Sequence, residues 1–201
     1  VSLFIVFEGL TGSGKKTHIR LLMEKLRDLG KEVSILSFPD YDEVIGKLTK
    51  RSDLDPLTQA LLFAADRYLH QAKIKELLEK GNIILCDRYS YSNYAYQSAV
   101  GVDVEWLKEI EKKLIKPHIA FLIDIPVELG IRRIQQSSLE DFTKREIVSR
   151  LQRQIELLEK VREKFLEIAR TNRETEWHVI NGKKSTDEIQ NEIWEVVRKR
   201  L

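Results

Sequence analysis

The sequence predicts an α/β fold in three layers, a five-stranded parallel sheet flanked by helices. Three observations lead there. Short β-branched and aromatic runs alternate along the chain with stretches whose apolar residues recur at helical spacing. The runs are read as apolar along their length, as strands covered on both faces must be. No repeat, low-complexity tract or Pro/Gly/Ser-rich linker divides the 201 residues, so a single domain over 1–201 is expected.

Leu3–Phe7 is a short apolar run with a Gly-rich turn behind it, and reads as a buried strand. Ile19, Leu22, Met23, Leu26 and Leu29 then mark a helix from Lys16 to about Leu29, with Gly30 as its stop. Val33–Ser37 is the second strand. Asp55-Pro56 is an N-cap followed by proline at the first helical position, opening one long helix that ends at Gly81. Ile83–Cys86 is the third strand and Ile119–Ile123 the fourth, with a helix capped by Asp103 between them. Helices follow over Val127 to about Gln136 and Glu146 to about Arg170. Trp177–Ile180 is the fifth strand, Asn181-Gly182 a turn, and Ser185-x-x-Glu188 a capping box for the last helix. The polar stretch Gln135–Lys144 reads either as part of a mobile lid, over about 135–150, or as a solvated loop.

Composition narrows the function. Lys and Arg number 34 against 32 Asp and Glu, a net charge of +2, which argues against duplex DNA as the main partner because that demands a basic surplus. With 42% apolar and 33% charged residues the chain is neither a disordered tail nor a membrane protein, and no apolar run approaches the roughly 18 residues that span a bilayer. Scarce Met and Cys beside abundant charge is a pattern of heat-adapted proteins. No signal peptide is expected from the N-terminus, and the single cysteine allows no internal disulfide, so a cytoplasmic home is expected. Cys86, inside an apolar strand, reads as packing, and His18, His70, His118 and His178 show no metal-ligand spacing.

The strongest chemical signal is Gly9-Leu10-Thr11-Gly12-Ser13-Gly14-Lys15, a phosphate-binding loop between a strand and a helix. Glycines let successive backbone N–H groups face a phosphate, the helix N-terminus adds partial positive charge, and Lys15 reaches the β- and γ-phosphates. The next position departs from the pattern: Lys16 stands where a Mg²⁺-holding hydroxyl is expected, with Thr17 after it. Asp87-Arg88 follows the third strand, where ligands of open parallel sheets bind. An acid there suits the water shell of Mg²⁺, and an Arg suits a phosphate. Phe63 and Arg67 lie one turn apart on the long helix, a ring for stacking and a cation for carbonyl oxygens.

Together these segments resemble the thymidylate kinases, P-loop nucleoside monophosphate kinases. The resemblance rests on F-E-G-L-T-G-S-G-K-K-T (Phe7–Thr17), F-P-D-Y (Phe38–Tyr41), L-L-F-A-A-D-R (Leu61–Arg67), D-R-Y-S-Y-S-N-Y-A-Y-Q (Asp87–Gln97) and L-I-D-I-P-V-E (Leu122–Glu128). It implies the P-loop NTPase fold, ATP as donor, dTMP as acceptor, Mg²⁺ as cofactor and a homodimer. By resemblance, Phe63 stacks on thymine, Arg67 bonds its exocyclic oxygen, and Asn93 and Gln97 lie near base and sugar. Tyr96 fills the space beside C2′, Arg88 binds the acceptor phosphate near Phe38, Pro39 and Tyr41, and Asp87 holds the metal through water. Thr11 stands where the family usually has Asp, and Gly12 and Ser13 bring no arginine into the loop. The transition-state cation then comes from the lid, with Arg132, Arg133, Lys144, Arg145, Arg150 and Arg153 as candidates.

The expected reaction is in-line transfer of the γ-phosphoryl group of MgATP to dTMP, catalysed by Lys15, Arg88 and Asp87 through positioning and charge neutralisation. Two rivals stay open. One is a kinase for another nucleotide or for a deoxynucleoside, whose 5′-hydroxyl would need a base, with Glu8 the evident candidate. The other is an ATP-binding switch without a phosphoryl acceptor.

Overall fold

A computed structural model of the chain describes residues 1–136, 149–150 and 152–201. Five strands, β1 (Leu3–Glu8), β2 (Val33–Ser37), β3 (Ile83–Asp87), β4 (Ile119–Asp124) and β5 (Glu176–Asn181), form one sheet in the order β2-β3-β1-β4-β5. Every pairing is parallel. The helices are α1 (Lys15–Asp28), α2 (Val44–Leu48), α3 (Pro56–Leu69), α4 (Gln71–Glu79), α5 (Ser90–Ala99), α6 (Val104–Ile110), α7 (Val127–Gln136), α8 (Ile155–Thr171) and α9 (Thr186–Val197).

Alternation along the strands divides the core. Leu3, Ile5 and Phe7 of β1 face the same side as Leu85, Phe121 and Ile123, where they meet Leu22 and Leu26 of α1 and Ile189 and Ile193 of α9. Phe4 and Val6 point the other way, with Ile84, Cys86 and Ala120, against Ala60, Ile74 and Tyr94 of α3, α4 and α5. A third cluster, including Leu122, Val127, Ile131 and Phe165, seats α7 and α8. The central strands β1, β3 and β4 are apolar up to their last residues, Glu8, Asp87 and Asp124, which stand at the carboxyl end of the sheet. The edge strands depart from the expected apolar runs: β2 carries Ser34 and Ser37, β5 carries Glu176, His178 and Asn181, and Ile35 and Val179 are exposed, as sheet edges are less fully covered.

The caps follow the sequence. Asp55 accepts hydrogen bonds from the Leu57 and Thr58 N–H groups at 3.0 and 3.1 Å, and Ser185 and Glu188 close a capping box. The single helix expected from Asp55 to Gly81 is two, α3 and α4, parted at His70. Side chains there compete for the helix carbonyls: His70 Nδ1 bonds Asp66 O at 2.8 Å and Gln71 Nε2 donates to Arg67 O at 2.8 Å. Two helices went unforeseen. The short α2 follows the F-P-D-Y segment, and α5 carries Ser, Tyr and Asn where an apolar stripe would announce a helix. The helix expected from Glu146 has a turn at Arg153–Gln154, where Gln154 leaves helical geometry at φ −117°, and runs on as α8 from Ile155. Residues 137–148 of the expected lid, with Lys144 and Arg145, lie outside the described residues.

Candidate active site

The sheet places the chemistry at the carboxyl ends of β1, β2 and β3. Phe7 pairs with Asp87, and Asp87 with Ser37, so Asp87 stands beside the loop that leaves β1. Between β1 and α1 the backbone turns through Gly9, Gly12 and Gly14 at φ +134°, +84° and +98°. A Cβ on Gly12 would collide with the backbone carbonyl of Gly130 in α7, so this turn needs glycine both for its φ and for the close packing behind it. A cleft of about 450 Å³ opens here, lined among others by Gly12, Lys15, Ser37, Tyr41, Asp87 and Arg88. Phe38, Pro39 (after a cis peptide bond), Lys16 and Thr17 lie on its wall too. The phosphate loop, F-P-D-Y and Asp87-Arg88 thus share one cleft.

Lys15 is buried, and its ammonium donates to Gly9 O and Leu10 O, both at 3.0 Å, and to Ser13 Oγ at 3.4 Å. Burial, with Arg88 nearby, brings its pKa down to about 7. Glu8, the last residue of β1, is fully buried. Its Oε1 accepts from the N–H groups of Tyr89 and Ser92 at 2.8 and 3.3 Å, and its Oε2 from Ser92 Oγ at 2.6 Å. It therefore caps the N-terminus of α5 from another element, filling the place of a local cap. Burial raises its pKa to about 7 against the lowering pull of Ser92 and Arg88. With both oxygens engaged and no exposure, Glu8 is poorly placed to act as base for a nucleoside hydroxyl.

Arg88 has a left-handed backbone at φ +67°, which costs a non-glycine residue energy and is held by the bond from its N–H to Phe7 O at 3.0 Å. Its guanidinium donates to Ser92 Oγ at 3.1 Å and to Thr11 Oγ1 at 3.5 Å, and lies 5.4 Å from the centre of the Tyr96 ring. Thr11 of the phosphate loop thus meets Arg88. Asp87 is buried, and its Oδ1 has no partner among the described residues. No cluster of three or more His, Cys, Asp or Glu among the described residues could hold a metal by itself. A lone carboxylate beside a phosphate loop fits Mg²⁺, which keeps its waters and takes the rest of its shell from phosphate oxygens.

A second polar cluster lies behind α5. Arg67 is buried, and its Nε donates to Glu111 Oε1 at 3.0 Å, joined by Nη2 to the same oxygen. Asn93 Nδ2 donates to that oxygen at 3.1 Å and to Ala60 O at 3.2 Å. Burial raises the Glu111 pKa despite the cation beside it. Phe63 is half-buried one turn before Arg67, and Gln97 Nε2 donates to Gln59 Oε1 at 3.1 Å. The helix α5 joins the two ends, with Asn93 against Glu111 and Tyr96 against Arg88. Asp66 braces a neighbouring segment instead. Its Oδ2 accepts from the Asp40 N–H at 2.8 Å while His70 Nε2 meets Asp40 Oδ2 at 3.0 Å, tying F-P-D-Y to α3.

Sequence reasoning did not single out Glu111, Ser92 or Ser37. Glu111 sits in a run rich in Glu and Lys, Lys108 to Lys113, that reads as a solvated face, and only the pairing a buried Arg67 requires could have pointed to it. The candidate lid cations are dispersed: Arg132, Arg150 and Arg153 are exposed, while Arg133 donates to Gly182 O at 2.8 Å.

A phosphate loop at the switch point of a parallel sheet, faced by an Arg and by a carboxylate whose Oδ1 has no partner among the described residues, defines a P-loop nucleotide-binding protein. The family model for thymidylate kinase matches residues 7–193. Similar proteins include a probable thymidylate kinase of Pyrococcus horikoshii, 37% identical over 98% of this chain and 97% of the relative, and one of Methanocaldococcus jannaschii, 37% identical over 96% and 94%. Another, of Sulfolobus acidocaldarius, is 38% identical over 97% and 96%. The chain belongs to the thymidylate kinase family.

Proposed function

We propose that this chain, working as one domain over 1–201, transfers the γ-phosphoryl group of ATP to dTMP, giving dTDP and ADP. The observation that carries the reading is the placement of Arg88 and Lys15 in one cleft with α5 leading from it to Arg67 and Asn93. Such an arrangement suits a nucleoside monophosphate held at both ends. The acceptor is already an anion, so no strong general base is needed, and catalysis is positioning plus charge neutralisation.

The loop from Gly9 to Thr17 binds ATP, and Lys15 exchanges its carbonyl partners for phosphate oxygens, which are stronger acceptors. Arg88 draws the acceptor phosphate toward the loop, beside Phe38, Pro39 and Tyr41. Glu8 serves at one remove by fixing Ser92, which in turn receives Arg88. Phe63, Arg67, Asn93 and Gln97 take the base and sugar, and Tyr96 limits the room at C2′. Asp87 would hold Mg²⁺ through water, and the ion supplies charge neutralisation at the transferring phosphates. Arg132, Arg133, Lys144, Arg145, Arg150 and Arg153 remain the lid candidates for transition-state charge.

The partner is a second copy of the chain. Leu57, Leu61 and Tyr68 lie exposed along α3, and Val44 and Leu48 along α2, an apolar surface that pairing would cover. No helix among the described residues is long and apolar enough to cross a membrane, and the cytoplasm, where ATP and dTMP occur, is the proposed location. A coupled assay across monophosphates and nucleosides tests the reaction. The expected result is turnover of dTMP well above dCMP, dGMP and AMP. ATP hydrolysis with no monophosphate consumed would leave the switch reading in its place.

A further inference from the structure

We propose that Glu111 is a positioning residue that fixes the hydrogen-bond polarity of the base site, making it select pyrimidines with a carbonyl beside a ring N–H. This rests on dTMP being the acceptor. One oxygen, Glu111 Oε1, receives Arg67 Nε, Arg67 Nη2 and Asn93 Nδ2. Both hydrogens of the Asn93 amide nitrogen are thereby used, one on Glu111 and one on Ala60 O. Turning the amide over would set Asn93 Oδ1 against a carboxylate and a carbonyl, two acceptors facing an acceptor. The orientation is therefore dictated by Glu111 and by the backbone.

That orientation leaves Asn93 Oδ1 as a buried acceptor without a partner among the described residues, an expensive state unless a ligand donates to it. Arg67 Nη1 makes no bond to any described residue, so the same guanidinium keeps donors to spare. A donor and an acceptor held on one carboxylate oxygen complement an edge that offers a carbonyl next to an N–H. Uracil and thymine present that edge; cytosine presents an amino group next to a bare ring nitrogen, the reverse order. Glu111 reaches the cluster from the C-terminal end of α6, which α3 also holds through the Tyr68 hydroxyl donating to Ile110 O at 2.9 Å. The buried charge thus does more than balance Arg67: it sets the polarity of Asn93.

The test compares kcat/KM for dTMP and dCMP in the wild-type protein, Glu111→Gln and Glu111→Asp, with KM for ATP as internal reference. A glutamine amide can offer a donor in place of Oε1, which removes one of the two acceptors that hold Asn93 and leaves Ala60 O alone to orient it. The expected result for Glu111→Gln is a dTMP-to-dCMP ratio lowered about tenfold or more, with KM for ATP unchanged. Glu111→Asp keeps the charge but withdraws it by one methylene, so KM for dTMP rises while the ratio is largely kept. An unchanged ratio in a folded Glu111→Gln protein overturns the proposal. Should that variant fail to fold, a wild-type KM for dTMP in Glu111→Asp overturns it instead. A wild-type protein that turns over no dTMP refutes the proposed reaction itself, a separate outcome.

Discussion

At the phosphate end of the cleft, seven consecutive residues from Gly9 to Lys15 build the site. At the proposed base end, Arg67 of α3, Asn93 of α5 and Glu111, just past the end of α6, meet only in the folded chain. The first end works through backbone N–H groups and a lysine whose charge is in balance near neutrality. The second works through a desolvated ion pair locked by shared hydrogen bonds. The difference teaches where each end is vulnerable. On the proposed reading, loss of one side chain in the loop should cost rate, whereas loss of one partner in the buried cluster should cost both fold and selectivity.

The largest effect is expected at the phosphate end. Lys15→Ala removes the buried ammonium of the loop, and kcat should fall by about 10²–10³-fold with the melting temperature little lowered, measured by steady-state kinetics and thermal denaturation. An equal fall in stability would make Lys15 a structural strut and erase the contrast.

Next comes the buried pair. Glu111→Leu alone strands the Arg67 guanidinium and should cost about 3–5 kcal/mol of stability in denaturant titration. Adding Arg67→Met should recover most of that loss, because apolar side chains replace a buried pair well, yet leave dTMP selectivity poor. Recovery of selectivity in the double variant would show that the pair does not read the base.

How much of this was legible in the sequence follows the same divide. The loop, its flanking strand and helix, and the caps at Asp55 and Ser185 were readable because their determinants are neighbours in the chain. Asp87-Arg88 was readable because a strand end has a known place in a parallel sheet. The break at His70 was not, since it depends on side chains competing for carbonyls, nor was α5, whose N-terminus is capped by Glu8 from more than 80 residues away. Glu111, 44 residues from Arg67, looked like any charge on a solvated helix end. The resemblance named Arg67 and Asn93 without the carboxylate that orients both.

The smallest effect sharpens the phosphate end. Lys15, with a pKa lowered to about 7, is mostly neutral at pH 8 in the free protein, and ATP phosphates favour its charged form. ATP binding at pH 8 should therefore take up about one proton per site, and at pH 6 far less because the ammonium is already charged. Calorimetry in buffers of different ionisation enthalpy reads this directly, and a binding heat independent of buffer at pH 8 would contradict it.

The division of labour between the two ends is tested most directly by the Michaelis constants of Arg67→Ala for both substrates. Arg67 lies behind α5, away from the loop that takes ATP, and a lost charge-assisted bond is worth about ten- to hundred-fold. KM for dTMP should rise by that factor while KM for ATP stays within about twofold. Equal increases for both substrates would contradict the account, since Arg67 would then support the whole cleft and not the base.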